Sequence, residues 1–492
     1  MAPLVGLIRV GNCMSEPSTS SEISPEIRNM QAIQTQLKKS FAAGRMRSLE
    51  ARINAISAIE KLVQENQGAL CEALGKDLGR PREDSLIAEL SVVIEEAVAA
   101  RKHLKRWMKP RRKIMPLLLF PAKGESSPQP FGVTLIIGPW NYPFQLLLAP
   151  LISALAAGNC AVLKPSELTP TCSRLLFELI PKYLSSDVVQ VIEGGVETGQ
   201  QLLDLNWDMI FFTGSTQVGK HIAQAAARNL TPVVLELGGK SPCIVDSNAD
   251  LTVTARRILW GKLLNSGQTC VAPDYIFTPR SNVENLVRAL ESTLKEFYPQ
   301  GFVRNQSYCG IVNQRHFQRL ESVADAHRNQ LRIGGKIIAS QRLVEPSFYL
   351  LNLAEAAHAP LMKEEIFGPL MPIISYESID EVTAYINSHD HPLALYLFTS
   401  DSDLVARVER ETRSGSFVVN DTVIHLATSK LPFGGVGGSG MGAYHGESGF
   451  SAFSYQRAIM KRPFWLDLPV RYRPYSGWKM WFLRKLLGYK RA

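Results

Sequence analysis

A cysteine, a glutamate and an asparagine stand where acyl chemistry could use them. Cys270 ends the run NSGQTC, whose glycine leaves room around a thiol, and a cysteine nucleophile needs an open approach as well as a thiolate. Glu236 lies in the apolar run LEL just before two glycines, a setting that raises a carboxyl pKa and suits a general base. Asn141 follows the apolar run VTLII within GPWNYP, where its amide could stabilise a developing oxyanion.

Each of these three residues also has a plain structural explanation. Cys270 could be a small packing residue, and Asn141 could serve a turn beside proline and glycine. Glu236 could form a salt bridge with Lys240, which follows it closely in the chain. Taken singly, the three residues leave both explanations open.

Three other motifs could bind a nucleotide. The run GSTQVG lies between the apolar MIFF and the helix-like HIAQAAA, so its glycines would let the backbone approach a pyrophosphate at a helix N-terminus. Its spacing is neither that of the dinucleotide fingerprint nor that of a P-loop. Its members are Gly214, Ser215, Thr216, Gln217, Val218 and Gly219.

Two pairs of residues could hold the sugars of such a nucleotide. Lys164 and Glu167 follow the strand-like CAVL and could bind ribose hydroxyls, or they could form a solvated charge pair. Glu365 and Phe367 could hold a second ribose and a planar ring, or they could mark a helix end that leads into a strand.

The elements that must position these residues belong to more than one domain, because 492 residues exceed the roughly 250–300 at which one core stops growing. Between Glu26 and Lys109 apolar residues recur at helical spacing. From Phe131 the short β-branched runs VTLIIG, NCAVLKP, VVQVIEG, DMIFFTGS and PCIVDS alternate with helical stretches and predict a buried parallel sheet. A second such region begins near Cys270, with YIFTP, FGPLMPIISY, LALYLFTS and FVVND, whereas FGGVGGSGMGAYHG predicts a loop.

In this order, the six motifs resemble those of the aldehyde dehydrogenase superfamily, and the resemblance runs from about Ala32 to Pro463. The interval of 34 residues between Glu236 and Cys270 also fits that family. Within it, the chain is similar to the class 3 and fatty aldehyde dehydrogenase branch, because of its short N-terminal region, GPWNYPF, the Ser-Thr of the glycine loop and LPFGGVGGSGMGAYHG. Gly438 departs from the asparagine that relatives often carry there.

The resemblance implies an α/β protein with the aldehyde dehydrogenase-like fold, which combines a Rossmann-type NAD-binding domain, a catalytic α/β domain and a small oligomerisation extension. It implies an NAD(P)-binding domain with N-terminal helices at 26–235 (oligomerisation strands near 111–130), a catalytic domain at 236–420, and a return to the cofactor domain with an oligomerisation segment at 421–463. Composition predicts the two ends: a disordered N-terminal segment at 1–25, rich in Ser, Pro and Glu, and a basic amphipathic tail at 464–492.

The resemblance also implies a mechanism. Cys270 would attack an aldehyde as thiolate, the amide of Asn141 and the backbone N–H of Cys270 would stabilise the oxyanion, and Glu236 would activate the water that hydrolyses the thioester. No metal would be needed.

The same resemblance implies a nicotinamide dinucleotide lying across the glycine loop. Lys164 and Glu167 would contact the adenosine ribose, Glu365 the nicotinamide ribose and Phe367 the nicotinamide. NAD is the expected cofactor because Glu167 would repel a 2′-phosphate, although relatives with the same KPSE wording accept both dinucleotides, which keeps NADP possible.

The expected substrate is a long-chain, apolar aldehyde, with an apocarotenal or an aromatic, coniferyl-type aldehyde as alternatives. Other readings are a reductase of activated acyl groups, an esterase that uses the same cysteine, and a non-enzymatic binding or structural member of the family. The non-enzymatic reading is disfavoured because the cysteine and the base are both present.

Charge and cysteine usage limit the partners and the compartment. The net charge is +9, but nine basic residues against Asp467 place +8 of it between Lys461 and Ala492, so no nucleic-acid groove is expected in the nearly neutral body. Seven isolated cysteines without a CxxC pair predict free thiols and a reducing, cytoplasmic location. A homodimer is expected from the resemblance.

The C-terminal tail interleaves aromatic and basic residues. Trp478, Trp481, Phe482 and Leu486 can share one face of a helix, which is typical of an interfacial membrane anchor. The alternative is a helix packed on the enzyme or on its dimer partner. The protein is therefore expected in the cytoplasm, with membrane association as one possible role of the tail.

Overall fold

The structure, a computed structural model, describes residues 25–116, 119–304, 306–486 and 488. The predicted disordered segment, 1–25, lies outside these residues except for its last member, which begins the first helix.

Helices cover the N-terminal part of the chain and then alternate with strands. They are α1 (Pro25–Ala42), α2 (Leu49–Glu65), α3 (Gln67–Leu78), α4 (Arg82–Ser85), α5 (Ser91–Trp107), α6 (Gln145–Ala157), α7 (Pro170–Tyr183), α8 (Val196–Leu203), α9 (Thr216–Ala227), α10 (Leu251–Leu263), α11 (Val283–Phe297), α12 (Gln314–Ala326), α13 (Leu353–Ala356), α14 (Pro360–Lys363), α15 (Ile379–Asn387), α16 (Ser402–Glu411), α17 (Gly446–Ala452) and α18 (Gly477–Leu486). The first five confirm the helical pattern predicted from Glu26 to Lys109. A π-helical turn, Leu86–Leu90, joins α4 to α5.

The strands of the described ranges form three main sheets and one two-stranded ribbon. They are β1 (Arg111–Lys113), β2 (Lys123–Pro130), β3 (Val133–Ile137), β4 (Cys160–Lys164), β5 (Val189–Val191), β6 (Met209–Thr213), β7 (Val233–Glu236), β8 (Pro242–Val245), β9 (Tyr275–Pro279), β10 (Leu331–Ile333), β11 (Ile337–Ile338), β12 (Leu343–Val344), β13 (Ser347–Asn352), β14 (Leu370–Tyr376), β15 (Ala394–Phe398), β16 (Ser416–Val419), β17 (Gly440–Met441) and β18 (Ser454–Lys461).

The first sheet has the order β17-β7-β6-β3-β4-β5 and is parallel except at β17. Its central strands are buried on both faces, which explains their continuous apolar sequences. Ile137 lies opposite both Lys164 and Phe212, and Thr213 lies opposite Glu236. The motifs that follow β3, β4, β6 and β7 therefore meet at one edge of the sheet, where the strands end.

The second sheet has the order β10-β13-β14-β9-β8-β15-β16 and is parallel except at β10. Its strand β8 carries the run PCIVDS, which the sequence pattern grouped with the first sheet; that grouping is wrong. The first sheet is completed instead by Val233–Glu236, a strand the pattern did not single out. Apolar runs predict a buried strand but not the sheet it joins, because strands of both sheets are buried alike.

The third sheet joins distant parts of the chain. Its strand β2 pairs antiparallel with β1 and, over eight residues, with β18. Strands are therefore present near 111–130, as predicted. Their role in oligomerisation and the domain boundaries stay predictions.

The glycine-rich stretch predicted as a loop is not wholly irregular. Gly440 and Met441 form β17 and pair with Glu236 and Leu235. Gly440 adopts a φ of 157°, and a Cβ there would lie 2.5 Å from the carbonyl oxygen of Leu235. Glycine is therefore required for this close backbone approach.

Candidate active site

Cys270 follows a tight, left-handed turn. Asn265, Ser266 and Gly267 have φ values of 52°, 54° and 76°, a conformation that non-glycine residues adopt only when their surroundings enforce it. Gly267 cannot be replaced without a shift, because a Cβ there would lie 2.3 Å from the carbonyl oxygen of Gly368. The turn leaves the side chain of Cys270 half-buried at a cavity, unlike the other described cysteines, which are buried.

The cavity beside Cys270 is mainly apolar. The polar side chains that line it together with the thiol belong to Tyr142, Gln145, Thr269 and Tyr444. The apolar lining comes from several elements and includes Val92, Leu146, Trp260, Leu264, Val423 and Phe433. Such a lining suits an apolar ligand that presents one polar end to the thiol.

Asn141 lies next to the cysteine loop. Its side chain is 3% exposed, and Nδ2 donates a hydrogen bond to the carbonyl oxygen of Gln268 at 3.1 Å. The hydroxyl of Tyr142 lies 2.7 Å from Oγ1 of Thr269. Two motifs that are 127 residues apart in sequence are therefore in direct contact.

Glu236 ends β7 at the same edge of the first sheet. Its side chain is 2% exposed, and neither carboxylate oxygen has a hydrogen-bond partner in the described part of the chain. Burial raises its pKa well above the ordinary value, and burial together with the negative charges of Glu365 and Glu236 raises the pKa of Cys270. The alternative salt bridge is wrong, since Lys240 pairs with Asp274 and donates to the carbonyl oxygen of Leu361.

The predicted nucleotide loop is mostly helix. Gly214 precedes α9, Ser215 is its N-cap residue and accepts a hydrogen bond from the backbone N–H of Val218, and the run from Thr216 to Gly219 forms the first helical turn. The prediction that the helix begins at HIAQAAA is therefore wrong, because the Ser215 cap starts the helix at Thr216. Oγ1 of Thr216 donates to the carbonyl oxygen of Gly438 at 3.0 Å.

Gln217, Val218 and Gly219 occupy different positions in that helical turn. Gln217 and Val218 are exposed, and Gly219 is buried against Leu237, where a Cβ would lie 2.6 Å from Cδ2. A capped helix N-terminus directly after a buried parallel strand fits the pyrophosphate of a dinucleotide.

Lys164 and Glu167 form the ion pair that the sequence left as an alternative. Nζ lies 3.1 Å from Oε2, with the lysine side chain 6% exposed and the glutamate 41% exposed. Since Lys164 ends β4 at the same sheet edge, the pair is still placed to meet a ribose.

Glu365 and Phe367 lie against the segments that follow β7 and β3. The carboxylate of Glu365 sits against Gly238, where a Cβ would lie 2.1 Å from Oε2, and burial followed by the charge of Asp274 raises its pKa to about 8. The ring of Phe367 lies 5.4 Å from that of Trp140 in an edge-on arrangement. These residues lie in the turn between α14 and β14, so the alternative description of a helix end also holds.

Residues 25–459 match the model of the aldehyde dehydrogenase family. The chain belongs to this family. It is 42% identical over 440 residues to the 4,4'-diaponeurosporen-aldehyde dehydrogenase of Staphylococcus aureus, which covers 89% of this chain and 95% of that protein. It is 40% identical over 455 residues to aldehyde dehydrogenase family 3 member A2 of Rattus norvegicus, which covers 91% and 93%.

A solved structure shares the fold of this aldehyde dehydrogenase over nearly its whole length. The substrate-bound state of Staphylococcus aureus AldH has a TM-score of 0.90 and 40% identity, over 93% of this chain and 99% of that chain. The predicted aldehyde dehydrogenase fold, the class 3 resemblance and the assignment as an oxidoreductase are confirmed. The roles of the individual site residues stay predictions.

The sequence did not reveal how the aldehyde dehydrogenase holds its cysteine loop. Nε2 of Gln268 donates to the carbonyl oxygens of Asn265 and Gly310, and its Oε1 accepts from the backbone N–H of Val312. Nδ2 of Asn265 donates to the carbonyl oxygen of Asn141 at 3.0 Å. The sequence shows two amide side chains in NSGQTC, but it does not indicate which groups they bond.

Proposed function

We propose that this aldehyde dehydrogenase oxidises a long-chain, apolar aldehyde to its carboxylate, with Cys270 as nucleophile and Glu236 as general base. One observation carries the proposal: Glu236, a buried carboxyl without a hydrogen-bond partner among the described residues, lies near a thiol that opens into an apolar cavity. Burying an ionised carboxylate without a partner costs free energy, and carboxylates in such surroundings are common at catalytic sites.

In the first half-reaction, the thiolate of Cys270 attacks the aldehyde carbon and forms a thiohemiacetal. The amide of Asn141 and the backbone N–H of Cys270 donate to the oxygen on which negative charge develops. Both donors belong to loops that are bonded to each other, so they keep a fixed separation.

In the second half-reaction, Glu236 removes a proton from the water that attacks the thioester carbonyl. Its raised pKa suits this role, since a stronger base takes up the proton more readily. The C–S bond of the resulting tetrahedral intermediate breaks and the carboxylic acid leaves. The sulfur of Cys270 then takes up the proton that Glu236 had removed from the water, which regenerates the thiol.

We infer that NAD is the bound cofactor. When bound, the nicotinamide supplies the acceptor for the hydride that leaves the substrate carbon. The capped N-terminus of α9 would hold the pyrophosphate, Lys164 and Glu167 the adenosine ribose, Glu365 the nicotinamide ribose and Phe367 the nicotinamide face. The geometry fits this group because these residues follow neighbouring strand ends of one sheet or line the adjoining turn.

Replacing Glu167 by glutamine is expected to raise kcat/KM for NADP by about tenfold, because a half-exposed negative charge beside a 2′-phosphate would be removed. kcat/KM for NAD should change much less. Initial rates with both dinucleotides measure the effect, and Glu178→Gln is the matched control, since Glu178 is a partly exposed carboxylate paired with Arg174 on α7. An unchanged NADP-to-NAD ratio would remove Glu167 from the proposed ribose site.

The apolar lining supports a fatty aldehyde as substrate. An apocarotenal is the second candidate, favoured by the same lining and by the 42% identical relative, whose name states a diaponeurosporen-aldehyde as its substrate. A series of kcat/KM values over alkanals of increasing length, with retinal and benzaldehyde, tests the proposal. The values should rise with alkyl length; a maximum at the shortest alkanals or at benzaldehyde would overturn it.

We also propose a homodimer assembled through the third sheet. Strand β18 is largely exposed, and Tyr455 and Met460 on it are 44% and 61% exposed. An eight-residue strand with exposed apolar side chains at a sheet edge suits pairing with a second copy. Sedimentation velocity on the whole protein measures the oligomeric state.

The tail is proposed to contact anionic lipid surfaces. Trp478 and Trp481 on α18 are 61% and 59% exposed, and Nζ of Lys485 lies 5.3 Å from the ring centroid of Trp481. Exposed tryptophans beside lysine suit the headgroup region of a membrane. No helix in the described ranges has the length and apolarity needed to span a bilayer. The free thiols of the described cysteines favour a cytoplasmic enzyme, to which the tail would add peripheral membrane contact.

Removing residues 464–492 is expected to lower co-sedimentation with anionic vesicles by about tenfold, because the aromatic and basic contacts are lost together. The double variant Trp478→Ala/Trp481→Ala should reproduce most of this loss. Neutral phosphatidylcholine vesicles and the variant Phe297→Ala, whose 37% exposed aromatic ring lies outside the tail, serve as controls. Equal binding by the full and shortened proteins would instead support packing of the tail on the enzyme or its dimer partner.

A further inference from the structure

A buried ion pair lies between the N-terminal helices and the loop that carries Asn141. Arg80 and Glu89 have side chains that are 1% and 0% exposed. Arg80 follows Gly79, whose φ of 68° ends α3, and Glu89 lies in the π-helical turn Leu86–Leu90. Turns of this kind are rare and occur often at functional sites.

Both members of the pair bind the backbone of the Asn141 loop. Nη2 of Arg80 donates to the carbonyl oxygen of Asn141. Oε1 of Glu89 accepts from the backbone N–H groups of Phe144 at 2.6 Å and Gln145 at 3.2 Å. The pair therefore holds the loop at Asn141, in its middle, and at its junction with α6.

The same contacts continue to the nucleophile. The guanidinium of Arg80 lies 4.6 Å from the ring centroid of Tyr142, whose hydroxyl meets Thr269 directly before Cys270. The carbonyl oxygen of Asn141 also accepts from Nδ2 of Asn265 in the cysteine loop. The carbonyl oxygen of Asn141 thus accepts hydrogen bonds from both Arg80 and Asn265. The side-chain amide of the same residue, Asn141, is the proposed oxyanion donor.

A buried ion pair is a poor source of stability, because removing two charges from water costs about as much as their attraction returns. Such a pair can hold neighbouring groups in a fixed orientation, because an arginine presents several N–H donors in one rigid plane. Here those donors reach Glu89 and the Asn141 backbone at once.

We propose that Arg80 and Glu89 are positioning residues that aim the amide of Asn141 at the oxyanion formed on Cys270. This inference rests on the proposed function, in which Asn141 stabilises that oxyanion. The pair acts through the loop backbone and does not touch the substrate.

The variant Arg80→Lys tests the inference, because a lysine keeps the charge beside Glu89 but lacks the planar fork that reaches Asn141 as well. We expect kcat to fall by about tenfold with KM changed by less than about twofold, since the loss is confined to the transition state. Steady-state rates over a range of long-chain alkanal concentrations at saturating NAD measure both constants on the whole protein.

A double-mutant cycle separates positioning from general structure. In the background Asn141→Ala, the change Arg80→Lys should cost little further rate, because the amide to be positioned is gone. An equal fold-loss in both backgrounds would overturn the proposal. If Asn141→Ala itself leaves the rate unchanged, the proposed function is what fails.

The matched control is Arg52→Lys. Arg52 is another buried arginine that donates to backbone carbonyl groups, those of Met46 and Ala156, away from the cysteine loop. We expect both lysine variants to lower the melting temperature and only Arg80→Lys to lower kcat. A similar loss of kcat in both would mean that Arg80 is merely structural.

A second variant separates a loss of positioning from a loss of folding. Arg80→Met/Glu89→Gln removes both charges together, so neither is left unpaired, and the glutamine can still accept from the loop amides. We expect this double variant to fold and to lose at least as much kcat as Arg80→Lys. A folded double variant with the kcat of the unmodified enzyme would overturn the proposal.

Discussion

Cys270→Ala is expected to reduce NAD-dependent aldehyde oxidation by roughly four orders of magnitude or more, because no covalent intermediate can form without the thiol. The half-buried side chain at the apolar cavity makes it the described cysteine with access to a substrate. Formation of NADH from a long-chain alkanal measures the loss. Binding of NAD and the melting temperature should stay close to those of the unmodified enzyme, since a small side chain replaces another at a cavity wall.

The matched control for this experiment is Cys243→Ala. Cys243 is fully buried in β8 of the second sheet and should affect stability without affecting kcat. Substantial steady-state activity in Cys270→Ala would contradict the proposed mechanism. Loss of activity in both alanine variants would point to a general weakening of the fold.

Glu236→Gln is expected to separate the two half-reactions. The first turnover should release close to one equivalent of NADH per active site, and the following steady state should slow by about 10²–10⁴-fold, because the water is no longer deprotonated. Rapid-mixing measurements resolve the two phases. Mass spectrometry should then detect an acyl group on Cys270.

The pH dependence gives a second test of Glu236. Its base form exists only above its pKa, and burial raises that pKa, so deacylation by the unmodified enzyme should accelerate as the pH rises through this raised pKa. The glutamine variant should lose this rise in its slow phase. Glu96→Gln is the control, because Glu96 is also a buried carboxyl with a pKa raised to about 8, but it accepts from the backbone N–H of Gly446. A slow phase with the same pH profile in Glu236→Gln and the unmodified enzyme would contradict the role of Glu236.

Much of the chemistry could be predicted because it depends on local sequence. A carboxyl in the apolar run LEL and an amide after VTLII are placed by the strands they follow, and both strands join the predicted parallel sheet. Residues at the carboxyl ends of neighbouring parallel strands meet whatever their separation in the chain. Glu236 and Asn141 could therefore be expected at one sheet edge, whereas the role of Cys270 followed from the resemblance of the six motifs to the aldehyde dehydrogenase superfamily.

The parts that could not be predicted depend on contacts between distant segments. The salt bridge of Lys240 with Asp274, rather than with Glu236, is decided by where the turn after α14 packs. The ion pair of Arg80 and Glu89 has no sequence signal, because its carbonyl and amide partners are backbone groups that every residue possesses. The early start of α9 is not evident from the sequence, because a serine in a glycine-containing run can be either a ligand residue or a helix cap.

The pairing of Gly440 with Glu236 has a consequence for biosynthesis. The outer neighbour of β7 is synthesised about two hundred residues after β7 itself, so a nascent chain carries that strand as an unpaired edge for much of its translation. A product that stops before residue 440 would contain the thiol and the oxyanion loop, but the strand that carries Glu236 would be paired on one side only, with β6. Only a chain translated almost to its end can therefore pair both sides of the strand that carries its base.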